Sequence, residues 1–245
     1  PSLFEALRFL RRTPVLEARD AYARWAPVYP ARAHNALMRV EQRVTEPLLG
    51  RIRAERVLDI GTGTGRYRPV LARAGAQYIV GLDFSWEMLT AGRDTGAGVL
   101  VCGNAAALPL ADAVFDLALA SLMVGDVADL TQWAAEIHRV LRPGGHLVFS
   151  DFHESWAGDG WRRTLEDRSG RRFEIAYHPR SIRDHRRVLE RSGFIVDEVR
   201  ETGLDGETGV EAETFRRRWR NPPVAVVVQA HRDDARATAP ARDSS

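Results

Sequence analysis

The sequence predicts an α/β protein built on a seven-stranded, mostly parallel sheet with helices on both faces and an N-terminal helical lid. Three observations carry this expectation. From residue 56 onward, short apolar runs alternate with segments of helical periodicity, the pattern of parallel strands joined by crossover helices. A glycine-rich turn, Gly61-x-Gly63-x-Gly65, lies between the first such run and the helical segment after it. Residues 1–50, ahead of the sheet, look helical and carry apolar and aromatic positions that need a surface to cover: Phe4, Phe9, Tyr22, Trp25, Tyr29, Leu37, Val40 and Val44.

The strands are expected at Arg56 to Ile60, Tyr78 to Leu82, Val99 to Cys102, Phe115 to Ser121, His146 to Asp151, Phe194 to Val199 and Val224 to Ala230. Between the fourth and fifth, Val127, Leu130, Ala134, Ile137 and Leu141 recur at three- and four-residue spacing and give one apolar helical face. Arg142-Pro143-Gly144-Gly145 stops that helix. The main domain therefore spans 51–231, after an N-terminal cap at 1–50. Two insertions interrupt it, at about 153–179 and 200–222. The first carries Trp156, Trp161, Phe173 and Tyr177, more aromatics than a passive connection requires. Residues 232–245 are Arg, Asp, Ala and Ser without periodicity and are expected to form a flexible tail.

All 35 basic residues of the 245 are arginine. A chain without lysine cannot form a Schiff base, grip phosphate as a Walker-type hydrolase does, or run the usual kinase and Tyr/Lys dehydrogenase chemistry. The net charge of +2 and clusters such as Arg216, Arg217, Arg218 and Arg220 read as solvated surface, and a nucleic-acid partner is not expected. The single cysteine, Cys102, permits no internal disulfide, zinc knuckle or iron–sulfur cluster, so no metal is expected and a reducing cytoplasm fits. Glu5 and Arg8 interrupt the first ten residues, which do not read as a signal peptide, and no later segment reads as a membrane span.

The most informative segment is VLDIGTGTGRY, Val57 to Tyr67. Glycines there let the backbone approach a ligand and turn a helix N-terminus toward it. A dinucleotide fingerprint would place its third glycine at position 66, which is Arg66, and Asp59 would sit badly beside a pyrophosphate. A carboxylate there suits an ammonium group. Asp83 closes the second strand, where a carboxylate accepts hydrogen bonds from both ribose hydroxyls. Asn104, near the third strand end, offers donor and acceptor to an adenine edge. Together these describe a nucleoside with a zwitterionic amino-acid tail and no phosphate.

On VLDIGTGTGRY, YIVGLDFSWEML, CGNAAALPL, FDLALASLMV and RVLRPGGHLVFSD, over about residues 55–152, the chain resembles the class I S-adenosylmethionine-dependent methyltransferases. Within them it resembles the small-molecule group that includes the ubiquinone/menaquinone and malonyl-carrier methyltransferases. The resemblance implies a Rossmann-like fold with S-adenosylmethionine as cofactor and S-adenosylhomocysteine as product. It also implies that Asp59 and the loop backbone at Gly61, Gly63 and Gly65 hold the methionine moiety. Asp83 would bind the ribose, with Phe84 and Met88 beside the adenine. Asn104 and the backbone at Ala105 would face the adenine amine, and Ser121 and Leu122 would lie beside the sulfonium. Tyr22 and Tyr29 resemble aromatic positions of N-terminal helices that close over the cofactor, although the acid usual after the second aromatic is Pro30 here.

The acceptor is expected to be a small molecule, methylated at oxygen, with carbon and nitrogen open. Displacement at a sulfonium needs alignment and exclusion of water more than acid–base machinery. His153 is the candidate base because it follows the fifth strand at the carboxyl edge of the sheet, with Asp151 to orient it or cap a turn. His34, Trp156, Tyr177 and His178 are candidates for acceptor contact, and Arg162, Arg163, Arg171, Arg172 and Arg180 mark where an acidic acceptor would be recognised. Two other readings are a regulatory protein that binds the cofactor or its product without transfer, and an RNA methyltransferase. Asn221-Pro222-Pro223-Val224 lacks the terminal ring and strand position of the adenine-methylating nucleic-acid enzymes.

Overall fold

A computed structural model describes residues 13–158, 162–219 and 222–233. The expectations for Phe4, Phe9, Trp161, Arg220, Asn221 and residues 234–245 lie outside the described residues. In chain order the elements are β1 (Val15–Leu16), α1 (Ala18–Trp25), α2 (Ala36–Leu49), β2 (Arg56–Ile60), α3 (Arg68–Arg73), β3 (Tyr78–Asp83), α4 (Trp86–Gly92), β4 (Val99–Cys102) and β5 (Phe115–Ser121). There follow α5 (Leu130–Val140), β6 (Leu141–Phe152), α6 (Ser155–Gly158), β7 (Thr164–Glu166), β8 (Arg172–Ile175), α7 (Ile182–Arg191), β9 (Phe194–Thr202), α8 (Val210–Trp219) and β10 (Ala225–Arg232).

The seven-stranded sheet has the order β4-β3-β2-β5-β6-β10-β9, and β10 runs antiparallel to both of its neighbours. Period-two alternation sorts its side chains between two cores. Leu58, Ile60, Ala118, Ala120, Leu147 and Phe149 face one side, where Trp133 and Ile137 of α5 and Leu189 of α7 cover them. Val57, Leu117, Leu119, Val148 and Val227 face the other, under Leu48 and Leu49 of α2 and Val70 and Leu71 of α3. Each such aliphatic side chain contributes roughly 1.5–3 kcal/mol by leaving water. Local chemistry starts the helices where the chain must turn: Asn35, Ser85 and Asp129 cap α2, α4 and α5, and Ser181 with Asp184 forms a capping box on α7.

The chain builds β2, β3 and β4 outward in one direction, then crosses to place β5 and β6 on the opposite side of β2. That reversal opens a crevice beyond the carboxyl ends of β2 and β5, where open α/β sheets hold ligands.

Three boundaries differ from the sequence expectation. The helix before β6 ends at Val140, and β6 begins at Leu141 rather than His146. Leu141 pairs with Phe115 and His146 with Leu117, so residues 142–145 bulge from the ladder at Pro143 and the left-handed Gly144. The first insertion is not a plain connection, because its β7 and β8 pair with each other and β8 runs parallel to β1. The N-terminal segment accordingly includes a strand and divides in two: α1 packs with β8 and α4, whereas α2 lies against β6, β9 and β10 as part of the sheet's helical layer. Among the described residues no helix is long and apolar enough to cross a membrane.

Candidate functional site

The crevice opens into a cavity of about 1390 Å³. Its floor is the turn between β2 and α3. Gly61, Gly63 and Gly65 all have positive φ, and Gly63, at φ 56°, donates its backbone N–H to Asp83 Oδ2 at 2.8 Å. The left-handed conformation costs glycine little, and it brings that amide to the end of the neighbouring strand. Ser85 N–H holds the other oxygen of Asp83 at 2.9 Å. Each oxygen keeps a further lone pair. Burial pushes the Asp83 carboxyl up to about 6, against the pull of the Ser85 and Gly63 amides.

Asp59, at the end of β2, is buried and accepts one hydrogen bond, from Thr62 Oγ1 to Oδ2 at 2.6 Å. Burial raises it to about 6 as well, with the Thr62 hydroxyl and Arg66 opposing. Two buried carboxylates thus line one cavity wall with acceptor capacity to spare.

Phe84 and Met88 line the wall beside Asp83, and Phe84 meets Tyr22 edge-on at 6.3 Å between ring centroids. Tyr29 stacks edge-on against Trp25 at 4.5 Å, and Tyr22, Trp25 and Tyr29 all face the cavity. Ala105 and Asn104 also line it, but the Asn104 side-chain oxygen accepts the Ala106 N–H at 2.9 Å. That oxygen is turned to its own backbone rather than held open for an adenine amine.

Leu122 lines the cavity at φ 52°, a left-handed conformation uncommon for a leucine, and its N–H is fixed by the carbonyl and the hydroxyl of Ser150, each at 3.0 Å. Ser121 accepts from Arg66 Nη2 at 2.7 Å and donates to Glu41 Oε1 at 3.0 Å. Arg66, which takes the place of a fingerprint glycine, thereby joins a buried network that the sequence reading missed. The Glu41 carboxylate also takes hydrogen bonds from Tyr67, Thr45 and Ser150. A signal was present, since Glu41 stands on the apolar stripe of α2 between Leu37 and Leu48, where a solvated acid has no place.

Farther along the lining, the short 3₁₀ turn after β5 ends at Asp126. Its buried carboxylate accepts from Tyr22 Oη at 2.9 Å and from Arg163 Nη1 at 2.7 Å, while Arg163 Nη2 also donates to Tyr22 Oη. Burial raises Asp126 above the ordinary carboxylate range, opposed chiefly by Arg163. Phe152 and Trp156 complete this wall.

Several expected residues are not brought to the cavity. His153 does not line it: Nε2 lies 2.8 Å from Glu201 Oε2, and Nδ1 accepts the Ser155 N–H at 3.2 Å. Both ring nitrogens are engaged away from the crevice. Asp151 does not orient His153: its Oδ1 accepts the Phe152 N–H at 2.8 Å, and its Oδ2 lies 3.2 Å from Nε2 of the buried His185. His34 packs on the rings of Trp25 and Tyr29. Tyr177 and His178 support the turn from behind, Tyr177 against Phe152 and His178 through its N–H to the Gly125 carbonyl. Of the five inserted-segment arginines, Arg162 and Arg163 line the cavity, and Arg180 instead binds the carbonyls of Val127 and Ala128.

Comparison with known proteins agrees with this layout. Residues 58–149 match a family model described as a methyltransferase domain. A demethylmenaquinone methyltransferase of Streptomyces avermitilis is 38% identical over 106 residues, 42% of this chain and 46% of that protein. A malonyl-[acyl-carrier protein] O-methyltransferase of Pseudescherichia vulneris is 36% identical over 145 residues, 56% of this chain and 57% of that protein. The chain thus spans about half the length of these curated relatives. A solved S-adenosylmethionine-dependent methyltransferase from Mesorhizobium loti is 26% identical with a TM-score of 0.61, covering 80% of this chain and all of that one. The matched residues run from β2 to β6 and hold the glycine turn, Asp59, Asp83 and the strand end at Ser121, so that residues 58–149 of this chain are similar to that methyltransferase-domain family.

Proposed function

We propose that the protein is an S-adenosylmethionine-dependent methyltransferase acting on a small-molecule acceptor at oxygen. The observation that carries this reading is the presence of Asp59 and Asp83 in one cavity that Tyr22, Trp25, Tyr29 and Phe84 also line. The residues present fit the cofactor. Asp59 keeps an oxygen without a hydrogen-bond partner among the described residues, as an ammonium group requires, and Asp83 keeps lone pairs for two ribose hydroxyls. When bound, the cofactor supplies a methyl group on a positively charged sulfur. The chain's own part is to bind and orient: the glycine turn gives close backbone approach, Phe84 and Met88 pack the nucleoside, and Ser121 and Leu122 line the cavity where β5 ends. Tyr22, Trp25 and Tyr29 exclude water above it, which is the lid role expected of the N-terminal segment. Oxygen as the acceptor atom draws support from the malonyl-carrier O-methyltransferase relative.

The experiment is incubation with methyl-labelled cofactor and a desalted metabolite extract. The reading expects label in an extractable small molecule and stoichiometric S-adenosylhomocysteine. Cofactor binding without transfer would make the protein a binding module, and label in added RNA would make it an RNA methyltransferase.

A further inference from the structure

The cavity exceeds the roughly 300–1,000 Å³ typical of a single small-molecule site, so it has room for an acceptor beside the cofactor. One part of its lining is chemically specific. No histidine faces it among the described residues. Its buried polar groups are Tyr22, Asp126 and Arg163, closed into a triangle of hydrogen bonds. Its apolar surface is ring-rich, and the Arg163 guanidinium lies over the Phe152 ring at 5.1 Å and the Tyr22 ring at 5.3 Å. A flat group is thus already stacked there.

The charges decide between acceptor types. Both buried arginines of the cavity are neutralised, Arg66 by Glu41 and Arg163 by Asp126. Arg162 pairs with Glu174 at 3.4 Å and is exposed, as is Arg19. An anionic acceptor would meet the Asp126 carboxylate with no buried cation left to compensate it, a like-charge contact that disfavours binding. A neutral hydroxyl meets the opposite situation, because each Asp126 oxygen has a lone pair beyond the one already used, and Arg163 has N–H groups beyond those given to Asp126 and Tyr22.

Resting on the methyltransferase reading above, we infer that the acceptor is an uncharged planar hydroxyarene whose hydroxyl is held by Asp126, with Tyr22 and Arg163 fixing that carboxylate and the ring lying against Phe152 and Trp156. Asp126 is then a specificity residue that a sequence reading centred on His153 passes over. The arginines of the first insertion serve to hold it rather than to bind an acid.

The test is calorimetric titration of 5-hydroxyindole, indole and indole-5-carboxylate into the full chain saturated with S-adenosylhomocysteine. The expected order is 5-hydroxyindole tighter than indole by about 10- to 100-fold, as for a hydrogen bond to a charged group, and indole-5-carboxylate weakest. Asp126→Asn should lose most of the preference for the hydroxyl with retained circular dichroism and retained S-adenosylhomocysteine binding, and Tyr22→Phe should weaken that preference less. Tighter binding of the carboxylate, no binding of 5-hydroxyindole, or an unchanged preference in both variants overturns the inference. Failure of S-adenosylhomocysteine itself to bind the unsubstituted chain would instead overturn the methyltransferase reading, so the two failures are separable.

Discussion

Arg66 donates to the Glu41 carboxylate at 3.0 Å, and both side chains are buried. The pair ties α2 of the N-terminal segment to the turn that forms the cavity floor and, through Ser121, to the end of β5. Breaking one partner of a buried ion pair leaves an uncompensated charge, which costs more than the intact pair gains. Glu41→Gln is therefore expected to destabilise the protein by about 3–5 kcal/mol in urea unfolding. Adding Arg66→Met to Glu41→Gln should recover part of that loss, because it removes the uncompensated charge while the amide oxygen still accepts from the neighbouring hydroxyls. A single-variant cost under about 1 kcal/mol would show that the pair does not join the two segments.

The pH dependence follows from Asp59 and Asp83, both raised to about 6 chiefly by burial. Raised carboxyls bind protons in the folded state that the unfolded chain has already released, so between about pH 4 and 6 the ligand-free protein should lose stability as pH rises. Ligand binding runs the other way, because the ammonium and ribose hydroxyls need charged carboxylates. S-adenosylhomocysteine affinity should fall below pH 6, by about tenfold per pH unit for each carboxylate that must ionise. Calorimetry in buffers of different ionisation enthalpy should detect proton release on binding at pH 6. Affinity constant from pH 5 to 8 would remove both residues from the site.

His153→Gln separates the sequence expectation from the structure. With both ring nitrogens turned to Glu201 and Ser155, the substitution should leave cofactor affinity and labelled-product formation within about twofold and cost on the order of 1 kcal/mol of stability. A fall in product formation of about 100-fold or more would return His153 to the chemistry.

How much of this was legible in the sequence depends on the range of the interaction. The glycine turn, Asp59 and Asp83 are local, since strand ends and turns carry ligand groups at fixed offsets, and the structure brings them to one cavity with Phe84, Met88, Ser121 and Leu122. The small sheet was hidden because β1 has two residues and pairs with β8 about 160 residues later, so neither strand announces its partner. Asp126 gave no pattern, because its role depends on Tyr22, 104 residues before it, and Arg163, 37 residues after it. His153 misled for a related reason: placing it after β6 was sound, but β9 supplies Glu201 to engage it away from the crevice. Glu41 was readable as an acid on an apolar helix stripe, yet its partners come from the turn before α3, from β5 and from β6 and could not be named in advance.

In the reading proposed above, this cavity binds S-adenosylmethionine through the carboxylates at the ends of β2 and β3. The most direct test is calorimetric titration of S-adenosylhomocysteine into the protein and into Asp83→Ala. The account predicts one site with micromolar-range affinity, weakened on the order of 100-fold in the variant by the loss of two hydrogen bonds to a charged acceptor. No binding to the unsubstituted chain, or equal affinity in a folded Asp83→Ala, would contradict it.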